Sequence, residues 1–124
     1  MPRLLTLAAV LAFAGCASTS AVTPEAARSE IRTARSAVAQ AEQADAATHA
    51  AIALRTARQK VDQAEDALAR ADTDAAERLA EQAAVDAELA EARARAVVAE
   101  AAVAEVRAAI QALRDEIERN RRAN

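Results

Sequence analysis

The chain has 124 residues, a formal net charge of −3, one cysteine, one histidine and a single aromatic side chain. Charges of both signs are interspersed, no basic block exceeds Arg121-Arg122, and no aromatic residue follows Phe13 to stack on a base, so nucleic-acid binding is not expected. Alanine supplies about a third of the chain, much of the rest is Glu, Gln, Arg and Leu, and neither Gly nor Pro occurs after Pro24, which excludes a loop-rich fold and points to helices.

The chain opens on Arg3 and an apolar run from Leu4 to Ala14, the pattern of an export signal. Eleven residues are too few for a bilayer span, which takes about 20. Phe13-Ala14-Gly15-Cys16 resembles the bacterial lipoprotein signal, in which a large apolar residue and two small ones precede a cysteine. That resemblance implies cleavage between Gly15 and Cys16 and acylation of Cys16, with no cofactor besides this covalent lipid. Ala17, standing where aspartate is absent, resembles lipoproteins sent to the outer membrane. Several acyl chains hold stably where a single one holds marginally. As alternatives, Cys16 has no second cysteine for an internal disulfide, and a cysteine nucleophile would need a base that the lone His49 does not supply. The expected organisation is therefore a signal peptide at 1–15, a lipidated tether at 16–23, an alanine-rich helical repeat domain at 24–98 and a C-terminal helical extension at 99–124.

Thr23-Pro24-Glu25 reads as a helix start: a side-chain cap, a proline at the first helical position and an acid at the positive end of the dipole. Ala27, Ile31, Ala34, Val38 and Ala41 then form one narrow seam at alternating steps of four and three. A second seam runs through Leu54, Ala57, Val61, Ala64 and Leu68. The two belong to an internal repeat, because "RTARSAVAQAEQADA" at 32–46 matches "RTARQKVDQAEDALA" at 55–69 in ten of fifteen positions. A fainter copy, "RLAEQAAVDAELA" at 78–90, keeps the offset of 23 residues. Turns are expected at "QADAATHA", with Asp45 and Thr48 as caps, and at "ADTDAAE", with Asp74 and Glu77 as a capping box. A single continuous rod is the alternative, since no glycine supplies a left-handed stop. The predicted fold is all-α: an alanine-rich antiparallel bundle of three helices, the third long and able to extend as a coiled coil.

In that third helix Val85, Leu89, Ala92, Ala96, Ala99, Val103, Val106, Ile110, Leu113 and Ile117 keep heptad spacing, and the larger residues gather distally. With Val103, Ile110 and Ile117 at position a and Val106 and Leu113 at d, the pattern favours a parallel pair, with Glu116 at g and Arg121 at e. Self-association through 103–121 is the expectation; docking on another envelope protein or folding back on the bundle are the competing readings.

Catalytic candidates are few. His49 has no metal-ligating partners in the sequence pattern, and Lys60, the only lysine, has no environment to mark it as a catalytic amine. Asp62, Glu65 and Asp66 share a helical face, as do Glu77 and Glu81, but Arg58, Arg70 and Arg78 stand four residues from Asp62, Asp66 and Asp74, so a solvated charged face is expected in place of a metal or acid-base site. No enzyme activity, bound metal or small-molecule substrate is expected.

Residues 25–98, ending in "ERLAEQAAVDAELAEARARA" at 77–96, resemble the envelope lipoprotein family known as domain of unknown function 4398. The resemblance implies an exported, lipid-anchored helical module; with the sorting expected from Ala17, the expectation is an outer-membrane-anchored protein facing the periplasm and acting as a structural or interaction element. The composition and seam also resemble the major outer-membrane lipoprotein, an oligomeric coiled-coil spacer. That protein is joined to peptidoglycan through a terminal lysine, whereas "RRAN" at 121–124 gives no expectation of such attachment.

Overall fold

The computed structural model describes residues 22–123. Helix α1 spans Pro24–Gln43, a single-turn α2 spans Ala46–His49, α3 spans Ala51–Ala69 and α4 spans Thr73–Ala123. The chain folds back twice, so α1, α3 and the first half of α4 form the predicted antiparallel bundle, with α2 as an extra turn at the first reversal. Bundle length follows from α1 and α3, 20 and 19 residues, or about 30 Å at 1.5 Å per residue.

Helix α1 begins as its sequence dictates. Thr23 Oγ1 accepts a hydrogen bond from the Ala26 amide at 3.2 Å, and Pro24 occupies the first turn, where its missing amide proton costs nothing. The predicted seam Ala27, Ile31, Ala34, Val38 and Ala41 is buried in full. In α3 the buried set is Leu54, Ala57, Val61, Ala64 and Ala67; Leu68 is only half-buried, so the last step of the second seam is shifted by one residue.

The repeat has a three-dimensional meaning. Arg35 Nε donates to Glu65 Oε1 at 2.8 Å, and Arg58 Nη2 donates to Glu42 Oε1 at 2.7 Å. Arg58 is the repeat equivalent of Arg35, and Glu65 that of Glu42. The two copies therefore pack as an antiparallel hairpin about a pseudo-twofold axis, which turns one repeated Arg and Glu into two reciprocal bridges between α1 and α3. Thr33 and Thr56, also equivalent, each donate back to the carbonyl four residues earlier, Ser29 at 3.2 Å and Ile52 at 3.0 Å. These reciprocal pairs correct the expectation of intrahelical bridges: Arg58 reaches Glu42 and not Asp62, and among the described residues neither Arg70 with Asp66 nor Arg78 with Asp74 forms one.

Both reversals are made without glycine. Asp45 and Ala71 adopt the left-handed conformation, at φ 59° and 61°. At the second reversal the Asp72 amide bonds to the Ala67 carbonyl at 2.9 Å and the Ala71 amide to the Leu68 carbonyl at 3.0 Å, the paired bonds of a Schellman stop. Asp45 serves by its backbone, tolerating the left-handed region as aspartate does, and neither Asp45 nor Thr48 caps a helix through its side chain, contrary to expectation. The predicted capping box is also displaced: Asp72, and not Asp74, caps α4, its Oδ1 accepting from the Ala75 amide at 3.1 Å. Asp74 lies inside the first turn, where its charge still favours the dipole.

The core is almost all alanine. The inward face of α4 is Ala76, Ala80, Ala83, Ala87, Ala90 and Ala94, each buried, and among the described residues the only larger buried side chains, Ile31, Val38, Leu54 and Val61, come from α1 and α3. A flat methyl stripe lets those four side chains lie close to the α4 backbone. Lys60 Nζ sits 2.6 Å from Asp86 Oδ2, tying α3 to α4. That contact is ionic, for the shielded Oδ2 makes no hydrogen bond of good geometry.

Candidate interaction surface

Burial on α4 stops at Ala94, and residues 95–123 are exposed on every side. The overhang of 29 residues is about 43 Å long. It is continuous with the bundle half of α4 as one uninterrupted helix, so the seam does not fold back on the bundle.

The direction of the seam follows from helix geometry. At 100° per residue, Ala76, Ala80, Ala83, Ala87, Ala90 and Ala94 occupy one side of α4. Val85, Leu89, Ala92 and Ala96 lie about 170° away on the far side. Val85 is 63% exposed and Leu89 43%, although both belong to the length of α4 that is packed in the bundle. The stripe continues through Val103, Val106, Ile110, Leu113 and Ile117, all exposed between 44% and 60%. Two heptad tracks thus run along one helix, back to back. The inward track holds the bundle together; among the described residues, nothing in the chain covers the outward track. Sequence reading found the outward track and missed the inward one, whose signal was the alternating four-three spacing of alanines alone.

The two tracks diverge beyond the bundle. Val97 and Val98 extend the bundle side by one turn, beside an open notch formed with Gln40, Gln43 and Ala44 at the end of α1. Farther out the same side becomes polar, and Gln111 Nε2 donates to Asp115 Oδ1 at 2.9 Å while Arg122 pairs with Glu118 at 3.0 Å. The outward side instead gains larger apolar groups. An apolar stripe opposite a solvated face makes this side of α4 the candidate association surface.

Other candidates stay apart. His49 ends α2 and lines a shallow depression with Thr48, Ile52 and Arg93. Glu65 is held by Arg35, and among the described residues no group of three or more His, Cys, Asp or Glu is placed to hold a metal ion. Gly15 and Cys16, the expected cleavage and lipidation positions, lie outside the described residues. Among those described, no helix is long and apolar enough to cross a membrane.

The family described as domain of unknown function (DUF4398) matches residues 29–106. The chain belongs to the DUF4398 family. No curated protein and no solved structure matches it. In this DUF4398 chain the matched stretch runs from the first turns of α1 through the whole bundle and into the overhang as far as Val106, so it covers both tracks of α4. Ile110, Leu113 and Ile117, the heaviest part of the outward track, follow it.

Proposed function

We propose that this chain is a non-enzymatic structural or interaction module of the bacterial cell envelope, anchored in the outer membrane through lipid on Cys16 and facing the periplasm. The observation that carries the reading is the polarity of the fold. Val22, the first described residue, lies beside the start of α4, its carbonyl accepting a hydrogen bond from Thr73 Oγ1 at 3.2 Å. The chain thus enters the bundle at one end, and the apolar overhang leaves from the other. A lipid on Cys16, six residues before Val22, would hold the entry end at a membrane and present the stripe away from it. Binding by surface contact is the chemistry such a helix offers. The test is Cys16→Ser in the exporting cell, followed by fatty-acid labelling and membrane fractionation. Loss of label with accumulation of the unprocessed precursor is expected; a normally processed, membrane-retained variant would refute the anchor, and recovery of the unaltered protein in the inner membrane would refute the sorting.

A second reading, an oligomeric coiled-coil spacer without covalent peptidoglycan attachment, is favoured by the 51-residue length of α4, about 76 Å. A spacer is sensitive to length and indifferent to surface detail. Deleting one heptad from 95–101 should impair a spacer and spare a docking module.

A further inference from the structure

We propose that the outward track of α4 is the interface of a parallel, in-register homodimer running from Val85 to Arg121. The occupant is identified by charge. Positions Leu89, Ala96, Val103, Ile110 and Ile117 fall at a, and Val85, Ala92, Ala99, Val106 and Leu113 at d. Flanking them, Glu88, Arg95 and Glu116 fall at g, and Arg93, Glu100, Arg107, Arg114 and Arg121 at e, all exposed; Asp86, the first e residue, is half-buried and paired with Lys60. In a parallel pair each g residue faces the e residue five positions later on the other chain. Those partners are Glu88 with Arg93, Arg95 with Glu100, and Glu116 with Arg121. Every charged g residue of the interval meets its opposite, and the dyad doubles each pair. The remaining g positions, Ala102 and Ala109, face Arg107 and Arg114 without conflict.

An antiparallel pair sets e against e, bringing together a column of four arginines with Asp86 and Glu100 as its acids, and Asp86 is already held by Lys60 of its own bundle. That arrangement is repulsive, so the charges choose orientation as well as partner. Shape agrees. The track faces away from α1 and α3, so two bundles stand on opposite flanks of the paired helices without collision, and the alanine layers at 92, 96 and 99 allow close approach where the bundles begin. The interface covers five heptads, enough for a two-stranded coil whose β-branched a residues Val103, Ile110 and Ile117 favour two strands. Parallel pairing also sets both entry ends at the same pole, where two anchors reach one membrane; this last argument rests on the anchored reading above, and the charge argument does not.

The test uses the full-length protein extracted in mild detergent. Leu89→Cys and Ile117→Cys, made separately, should each give a disulfide-linked dimer on mild oxidation, with the parent chain carrying only Cys16 as control. An antiparallel pair would link neither position to itself, and that result overturns the proposal. Charge reversal supplies the second arm: Glu88→Arg with Glu116→Arg should weaken self-association about 100-fold, as should Arg93→Glu with Arg121→Glu, while a mixture of the two variants pairs again. Failure of the mixture to recover would exclude the stated register. A photo-crosslinking residue at Val106 in the living cell separates the two levels of the argument. A product of twice the chain mass supports the dimer, and a product with a different protein overturns it yet leaves the interaction module standing. The absence of any product refutes both.

Discussion

Replacing Leu54 by alanine removes three carbons from the one large side chain that is fully enclosed among the described residues, 1% exposed between α1 and the alanine stripe of α4. At about 0.8 kcal/mol per buried CH₂ the transfer loss is about 2.4 kcal/mol, and the cavity left between rigid helices raises the expected cost to about 3 kcal/mol. A domain of this size holds only about 0.05–0.15 kcal/mol per residue, so the bundle should lose a large part of its stability. Ile110→Ala removes the same number of carbons from a side chain that is 44% exposed and touches no part of the bundle. Its effect on bundle unfolding in dilute monomer should stay below about 0.5 kcal/mol. The assay is urea unfolding of a soluble form beginning at Ala17, followed by far-ultraviolet circular dichroism, the midpoint shift giving the difference. Equal costs for the two substitutions, or less than about 1 kcal/mol for Leu54→Ala, would refute the division of α4 into a bundle-forming and a free track.

The left-handed Ala71 carries a Cβ where the stop needs none, so Ala71→Gly should stabilise the bundle by about 0.5–1 kcal/mol, read as a rise in the unfolding midpoint. Asp45→Gly, at a residue that tolerates that conformation, should gain much less. Asp72→Ala should cost about 1 kcal/mol through loss of the cap on Ala75, with Asp74→Ala costing clearly less; the reverse order would restore the displaced capping box. A double-mutant cycle on Lys60 and Asp86 should give a coupling of about 0.5–1 kcal/mol that falls with added salt, since both side chains keep about a quarter of their surface in water.

The helices and their faces were legible because alanine-rich sequence leaves few competing conformations and the four-three spacing is unambiguous in α1 and α3. Thr23 could be read as a cap because a proline followed it, which fixes the helix start to one position. The caps at the two reversals could not be read with that certainty. In "ADTDAAE" both Asp72 and Asp74 are good caps, and the choice falls to the chain reversal: Asp72 is the residue whose amide closes the stop after α3 while its carboxylate opens α4. The cross-helix pairs Arg35 with Glu65 and Arg58 with Glu42 were equally hidden, because four-residue neighbours compete for the same arginines until the hairpin register is set. The outward seam was visible but its relation to the bundle was not. An alanine track carries almost no hydropathy contrast with its surroundings, so the larger residues on the opposite side dominate the pattern.

That contrast between the two tracks bears on why the overhang has the residues it has. Alanine is the strongest helix former, and a free helix needs nothing more than alanine, glutamate and arginine to stay helical and soluble. Valine and isoleucine lower helix propensity by about 0.5 kcal/mol each relative to alanine, because their branched Cβ crowds the preceding turn. Within the bundle Ile31, Val38 and Val61 recover that loss by burial. Val103, Val106, Ile110 and Ile117 recover nothing of the kind, since among the described residues no element covers them. Four such residues on one stripe, opposite a face that becomes progressively polar, therefore weaken the isolated helix by about 2 kcal/mol. Burial of about half of each of these side chains against a second helix would more than offset that loss. The stability that the overhang lacks on its own is thus of the size that pairing along the stripe supplies, which places folding of the distal helix and association on the same residues.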